Sequence, residues 1–199
     1  MKKIASILVA SLMLIGVNAM GQASIGAGFL SSAETVKAGS SSNERAALNG
    51  FYVGMGYTLP IASNINFTPG VYFGMASKSN AGSIYGLLVE KRQDSFINIP
   101  MHFSFNAELG SGLAFFAYAG PSASIAVSSK AINGKSTTEL LSDDYNKRFD
   151  VMLGGGIGLK FNDMIRFQVG YDFGMLNRAS TDRYTVKRNQ LTAGVAFLF

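Results

Sequence analysis

The chain has 199 residues, no cysteine and a formal net charge of +5, of which two charges belong to Lys2 and Lys3. The remaining positive charge forms no basic cluster with interleaved aromatics, which argues against a nucleic-acid partner. The lack of cysteine excludes disulfides and thiolate metal sites. Hydrophobic residues make up 48% of the chain beside 23 glycines, yet after residue 17 no apolar run is long enough to form a membrane helix.

The amino terminus has the pattern of a secretory signal peptide. Lys2 and Lys3 precede an apolar run over residues 4–17, which is too short to span a bilayer comfortably. Small residues allow cleavage after Ala19 or after Gly21. We therefore predict a cleaved signal peptide over residues 1–21 and a single exported domain over residues 22–199.

The exported part alternates apolar and polar or small residues with a period of two, which is typical of β-strands with one apolar face. In the clearest segment, Ile97, Ile99 and Met101 face one way, and Asn98 and Pro100 face the other. The pattern predicts eight strands, at residues 24–30, 50–59, 65–76, 97–107, 113–128, 149–161, 165–175 and 188–199.

The connections between these strands alternate in length. The long ones are predicted as loops at residues 31–47, 78–95, 129–147 and 177–187, and the short ones at 60–64, 108–112 and 162–163. Within the second loop, residues 84–89 could alternatively extend a neighbouring strand above the membrane. An even number of antiparallel strands with all short connections at one end is the arrangement of transmembrane barrels. Because few charges lie in the strands, we expect the apolar face to contact lipid. The sequence therefore predicts an all-β fold, an eight-stranded antiparallel up-and-down transmembrane β-barrel.

The last strand ends in alternating apolar residues. Val195, Phe197 and Phe199 share one face and close on a terminal aromatic. This pattern is similar to the carboxyl-terminal signal of outer-membrane barrels. We therefore expect the barrel-assembly machinery to act on this strand.

Four segments carry a resemblance to a known family. They are FINIP at residues 96–100, FAYAGP at 116–121, GGGIGL at 154–159 and VAFLF at 195–199. In this order and spacing, they resemble the small outer-membrane barrel domains labelled porin family or PorT-like. The resemblance implies an eight-stranded barrel in the outer membrane of a Gram-negative cell. It implies no reaction, and the word porin is not evidence of transport.

The polar face of the strands would line the barrel interior, which in eight strands is just wide enough for side chains. Opposite charges on the sixth and seventh predicted strands suggest ion pairs such as Asp150 with Arg166 or Lys160 with Asp172. Buried charges must be paired, so we predict that these groups fill the lumen. The predicted lumenal network comprises His102, Asp150, Lys160, Arg166, Gln168 and Asp172.

No residue set predicts catalysis, a cofactor or a metal. His102 and Ser104, with Glu108 of the same parity, are similar to the catalytic set of outer-membrane lipid A deacylases. By parity, however, they face the lumen, whereas a lipid-cleaving site must face lipid. The GKS at residues 134–136 ends like a phosphate-binding loop, but Ser129 stands where the first glycine is required. We therefore predict that the protein is not an enzyme.

The favoured function is that of a structural or surface-interaction protein of the outer membrane with a largely plugged lumen. Its expected partners are outer-membrane lipid and the assembly machinery, and an unidentified partner of the outer loops. One alternative is a small porin-like channel for ions or small solutes. Another is a periplasmic lipocalin-like barrel that binds an apolar ligand inside, which would reverse the two faces of the sheet.

Overall fold

The computed structural model describes residues 21–38, 41–84, 87–141, 147–179 and 185–199. The predicted signal peptide at residues 1–21 lies outside these ranges except for Gly21. The described residues contain no helix of the length and hydropathy needed to cross a bilayer. Within the described ranges there are nine strands: β1 (Gln22–Ala38), β2 (Ser41–Ala62), β3 (Ile65–Ile84), β4 (Leu87–Gly110), β5 (Leu113–Asn133), β6 (Ser136–Glu139), β7 (Phe149–Phe161), β8 (Ile165–Gly174) and β9 (Thr185–Leu198).

Eight of the nine strands close a ring. Each pairs antiparallel with its neighbours, in the order β4-β3-β2-β1-β9-β8-β7-β5, and pairing of β4 with β5 completes the circle. The first and last strands meet in continuous register from Ser24 opposite Leu198 to Lys37 opposite Thr185. The predicted eight-stranded antiparallel barrel is confirmed. β6 stands outside the ring and extends only the edge of β5, from Lys130 to Asn133.

Three tight turns lie at one end of the barrel, here called the turn end. Two of them contain consecutive residues in the left-handed region: Ser111 (φ 52°) with Gly112 (φ 75°), and Asn162 (φ 47°) with Asp163 (φ 56°). Such values match the right-handed twist of the flanking strands, which is why asparagine, aspartate and glycine occur there. In outer-membrane barrels, the end that carries the short turns is the one that faces the periplasm. The opposite end, from which the long hairpins project, is the hairpin end.

The strands are much longer than the sequence predicts. β4 has 24 residues and β2 has 22, whereas about 9–11 residues span a membrane. The predicted loops at residues 31–47 and 78–95 are wrong, because β1, β2, β3 and β4 continue through them as paired hairpin arms. The predicted loop at residues 129–147 is wrong in part, since it contains the end of β5 and all of β6. Outside the lipid both faces of an arm are wetted, so the alternation that marks a strand is lost.

The outer surface of the ring carries a band of exposed apolar side chains. On β8, Phe167, Val169 and Phe173 point outward, and Gln168 and Asp172 between them point into the lumen. A soluble protein would not expose an apolar surface of this extent. The faces of the sheet are therefore those predicted for a barrel in lipid, and the lipocalin-like alternative, which needs an apolar interior, does not hold.

Lumenal aromatic rings lie across glycines of neighbouring strands. The Tyr118 hydroxyl lies where side chains at Gly156 and Gly170 would project, and the Tyr52 ring covers Gly28 and Gly194 in the same way. Glycine permits this close approach because it has no Cβ. The aromatic side chains thereby fill the narrow interior, and the strands next to them carry glycine at the positions that the rings cover.

Candidate functional site

A cluster of buried ion pairs occupies the lumen at the hairpin end. The Arg92 guanidinium donates to both carboxylate oxygens of Glu34, each at 2.7 Å, and to Asp94 at 2.7 and 3.1 Å. Arg178 Nη1 donates to Glu34 Oε1 at 3.2 Å. The Ser129 hydroxyl donates to Asp94 at 2.6 Å. We call Glu34, Arg92, Asp94, Arg178 and Ser129 the ion cluster; all five are nearly inaccessible to solvent.

Strand parity and the tertiary fold bring the ion cluster together. Arg92 and Asp94 are two residues apart on β4 and therefore share its inward face. Glu34 reaches them from β1 across the lumen, and Arg178 enters from the segment that follows β8. The hydrogen bonds are bidentate and charge-assisted, which is the geometry that offsets most of the cost of burying charge.

The ion cluster lies above the apolar band on the hairpin side. On β4 the outward neighbours of Arg92 and Asp94 are Lys91, Gln93 and Ser95, whereas outward apolar residues begin at Ile97. Burial by itself would lower the pKa of Arg92, but the carboxylates of Glu34 and then Asp94 outweigh it and raise the pKa well above its ordinary value. The guanidinium is therefore permanently charged, and the cluster is a fixed feature at any physiological pH.

A further arginine, Arg188, stands opposite Glu34 in the β1–β9 register and contacts residues of the barrel below the ion cluster. The Arg188 guanidinium lies 4.4 Å from the centroid of the Phe96 ring and donates to the Ser124 hydroxyl. Ser124 in turn donates to Asn98 Oδ1 at 2.6 Å, and Asn98 Nδ2 donates to Gln190 at 3.2 Å. A continuous chain of polar contacts thus runs from the outer lumen towards its middle.

Directly beneath the ion cluster is a packed apolar layer inside the lumen. Leu30, Leu48, Tyr52, Ala76 and Phe96 are all buried and in contact with one another. Each comes from an inward-facing position on β1, β2, β3 or β4. The layer occupies the β1–β4 side of the interior. Met152 on β7 and Arg188 on β9 are also nearly inaccessible to solvent, so side chains fill the outer lumen from both sides.

The middle of the lumen holds a small polar cavity of about 80 Å³. His102 Nε2 lies 3.4 Å from the Ser122 hydroxyl, and its ring packs 5.0 Å from that of Tyr118. Arg166 enters the same cavity, with its guanidinium carbon 5.7 Å from the centroid of the Phe116 ring. The lining also includes Tyr52, Tyr72, Asn98, Gln168, Asp172 and Gln190.

A larger cavity of about 470 Å³ opens at the turn end. The turn residues Ser63, Ser111 and Asp163 form its rim, which identifies it as the periplasmic mouth of the barrel; we call it the vestibule. Ser104, Phe116 and Arg166 line both the vestibule and the middle cavity. The two spaces therefore meet at these side chains.

The six predicted lumenal residues all lie on inward positions, but they do not form one network. His102, Arg166, Gln168 and Asp172 line the middle cavity. Lys160 lines the vestibule and forms an ion pair with Asp163 of the adjacent turn at 2.6 Å. Asp150 lies near Arg188 at the other end of the barrel, opposite Ser124.

The two predicted ion pairs are wrong. Lys160 stands opposite Arg166 in the sheet, and Asp172 stands opposite Gly154. Lys160 is thus six positions along β7 from the level of Asp172, which is about 20 Å at the usual rise per residue. Asp150 is ten positions from the level of Arg166. Parity predicts the face of a side chain but not its height along the barrel axis, and height decides which charges meet.

The ion cluster escaped prediction because Glu34, Arg92 and Asp94 fall in segments predicted as loops. A signal was present: the inward parity of Phe96 and Asn98 continues without a break through Asp94 and Arg92. Arg178 carries no such signal, because it lies in an irregular segment after β8 and only the tertiary fold brings it to Glu34.

The structure does not bring together the three residues that resemble a deacylase site. His102 is close to Ser122 on β5 rather than to Ser104, and Glu108 lies at the vestibule. Among the residues that the structure describes, no group of three or more His, Asp or Glu side chains is placed to hold a metal ion.

The residues of the predicted assembly signal lie on the outward face of β9. Phe197 and Phe199 point outward, with 59% and 72% of their surfaces exposed, and Val195 is on the same face of β9. The backbones of Phe199 and Ala23 exchange hydrogen bonds of 2.9 and 3.0 Å. The strand is thus held at the β1–β9 seam, and its aromatic side chains are free to contact lipid or protein.

Comparison with protein families matches residues 15–178 to the outer membrane protein beta-barrel domain. The chain belongs to this family. As an outer membrane protein beta-barrel, it is located in the outer membrane. Comparison with curated proteins finds no match.

Solved structures of other barrels are similar in fold at low sequence identity. Neisserial surface protein A is 14% identical, with a TM-score of 0.51, over 90% of this chain and 97% of that one. Ail, the attachment invasion locus protein of Yersinia pestis, is 15% identical, with a TM-score of 0.45, over 90% and 99%. The outer membrane protein OprG of Pseudomonas aeruginosa is 10% identical, with a TM-score of 0.49, over 90% and 96%.

Proposed function

We propose that this outer-membrane barrel is a closed, non-enzymatic scaffold that presents its hairpin end to a partner outside the cell. The observation that carries the proposal is the filled outer lumen. The ion cluster and the apolar layer beneath it occupy the section of the barrel that any solute would have to cross. The function of such a barrel then depends on its outer surface rather than on transport.

The interior supports closure rather than gating. Arg92 is only 1% exposed although it lies in the lumen, and both of its carboxylate partners are buried with it. Opening a path would separate these charges, and breaking a buried pair costs about 3–5 kcal/mol. The apolar layer around Phe96 would also have to part. Thermal fluctuations of this cost are rare, so the closed state dominates.

The hairpin arms support the second half of the proposal, because they form a folded surface. Val89, Ala131 and Leu140 make a small core of their own above the lipid. The Gly134 amide donates to Glu90 at 2.9 Å, and the Ser129 amide donates to Glu139 at 2.8 Å. The first contact joins the β5–β6 hairpin to β4, and the second holds the two strands of the hairpin together. A partner would therefore meet a preformed surface, which lowers the ordering cost of binding.

Conductance of the refolded mature protein in a planar bilayer tests closure. We expect no discrete current steps, although the inserted barrel is heat-modifiable on a gel. A large porin reconstituted in the same membrane supplies the positive control. Ion-dependent steps that change when Arg166 or Asp172 is neutralised would contradict the proposal and establish the channel function instead.

We also propose that the assembly machinery recognises the carboxyl-terminal strand through Val195, Phe197 and Phe199. Replacing Phe199 by serine keeps its backbone bonds to Ala23 but removes an exposed ring. We expect less folded barrel in the outer membrane of cells, measured by heat modifiability, while refolding of the purified variant in vitro is unchanged.

Leu109 provides a matched control for this experiment. It is 60% exposed and lies at the turn end of β4, at the same end of the barrel as Phe199. Leu109→Ser removes a comparable apolar side chain outside the terminal strand and should leave assembly in cells intact. Equal assembly of the Phe199→Ser and Leu109→Ser variants would overturn this proposal.

A further inference from the structure

Arg166 differs from Arg92 and Arg178 in its surroundings. It shares with Arg188 the lack of an ion pair among the described residues, but Arg166 also lines both the middle cavity and the vestibule. Arg92 and Arg178 are both held by the Glu34 carboxylate. Arg166 forms no ion pair with any residue that the structure describes, and its buried Nε has no acceptor there. An unpaired charge inside a barrel surrounded by lipid is costly. Among the described residues, the positive charge of Arg166 therefore lacks a negatively charged partner.

The acidic groups nearest to Arg166 are engaged or distant. Asp163, on the rim of the vestibule, already pairs with Lys160 at 2.6 Å. Glu108 also lines the vestibule but is exposed to solvent, which screens its charge. Asp172 lines the middle cavity as well, but its backbone is six positions further along β8, about 20 Å from that of Arg166, and no ion pair joins the two side chains. The vestibule lining as a whole is balanced, with Lys160 and Arg166 against Glu108 and Asp163, but of the three side chains that line both spaces only Arg166 is charged.

The surroundings of Arg166 are suited to an oxygen-rich anion. The guanidinium presents a planar set of donors that matches phosphate and carboxylate groups. Gln168, on the same inward face of β8, and the hydroxyls of Tyr72 and Tyr118 line the adjoining cavity and can donate further hydrogen bonds. The ring of Phe116 lies beside the guanidinium, with 5.7 Å between the ring centroid and Arg166 Cζ.

We propose that Arg166 is the centre of a binding site for a small oxyanion, a phosphate or carboxylate group, that enters from the periplasm through the vestibule. The vestibule, at about 470 Å³, is large enough for a small organic acid or phosphate ester, whereas the middle cavity admits only the anionic group itself. The site goes beyond the closed-scaffold function and does not depend on it, because the vestibule opens on the periplasmic side of the plug.

Calorimetric titration of the refolded mature barrel with inorganic phosphate tests the site. The protein is kept in a maltoside detergent, which carries no phosphate, and chloride at matched ionic strength serves as the blank. We expect saturable one-site binding to the wild type and at least a tenfold weaker affinity for Arg166→Gln. Arg166→Lys keeps the charge but loses the planar fork, so it should bind with intermediate affinity. Repeating the titration with acetate distinguishes a phosphate preference from general binding of carboxylates.

Two controls show whether the anion binds at Arg166 rather than through the overall charge of the barrel or through misfolded protein. Lys187→Gln makes the same change in charge on the outward face of β9, outside the vestibule, and should bind phosphate like the wild type. Heat modifiability verifies that each variant is folded before titration. Unchanged affinity in Arg166→Gln, or no saturable binding of either anion to the wild type, would overturn the proposal. Neither result bears on the conductance test, so the two proposals fail separately.

Discussion

Replacing Arg92 by leucine is expected to lower the free energy of unfolding of the barrel by about 3–5 kcal/mol. The substitution leaves the buried carboxylates of Glu34 and Asp94 without their shared bidentate partner. Arg178 and Ser129 each retain one contact with these groups but cannot supply the charge-assisted bonds that are lost. Denaturant unfolding of the refolded protein in lipid vesicles, followed by tyrosine fluorescence and heat modifiability, measures the effect.

The neighbouring Lys91 supplies the control for this measurement. It is adjacent on β4 but points outward into solvent, and exposed charges of this kind contribute little to stability. Lys91→Leu should therefore unfold close to the wild-type denaturant concentration. If Arg92→Leu and Lys91→Leu unfold together, the ion cluster does not stabilise the outer lumen as described.

The second large effect is expected from adding one methyl group to the barrel wall. In Gly156→Ala, the new Cβ would press on the Val169 carbonyl oxygen and lie 2.6 Å from the Tyr118 hydroxyl and 2.7 Å from the Gly170 Cα. Backbone on the adjacent strand cannot move aside without disturbing the β7–β8 pairing. Overpacking of this kind costs about 1–3 kcal/mol, which the same unfolding experiment resolves.

Gly26→Ala is the matched substitution at a more open position of the same ring. There, the nearest contacts of a new Cβ are Ala196 Cβ and the Val195 carbonyl oxygen, both at 3.2 Å. Small adjustments can absorb contacts at this distance, so the variant should be clearly more stable than Gly156→Ala. If Gly156→Ala were instead the more stable variant, the close contact of the Tyr118 side chain and the β8 backbone with residue 156 would not be the reason for glycine at that position.

The fold was largely predictable from the sequence because lipid imposes a simple rule on each strand. Residues such as Phe167, Val169 and Phe173 must face outward, and the alternation they create marks strand, face and parity together. The predicted bounds of β7, residues 149–161, are those that the structure shows. Beyond the lipid, outward residues need not be apolar and the alternation stops. The predicted β1, β2, β3 and β4 are therefore too short.

The site was less predictable, for a different physical reason. Parity identified the inward positions of His102, Arg166, Gln168 and Asp172, but contacts between charges depend on register and strand tilt. Lys160 pairs with Asp163, three residues away, which a local rule would have found. The link from Glu34 to Arg178 joins residues 144 positions apart. This contact forms only because the barrel closes, and no pattern in the sequence near either residue indicates it.

The length of the hairpin arms has a further consequence for how the protein meets its surroundings. On β4 the outward apolar residues begin at Ile97, and the strand begins ten residues earlier, at Leu87. At the usual rise and a tilt of about 40°, this stretch stands roughly 25 Å above the lipid. That height exceeds the thickness of a phospholipid headgroup layer several times over. A soluble protein or a neighbouring cell can therefore touch the tips of the arms without approaching the bilayer itself.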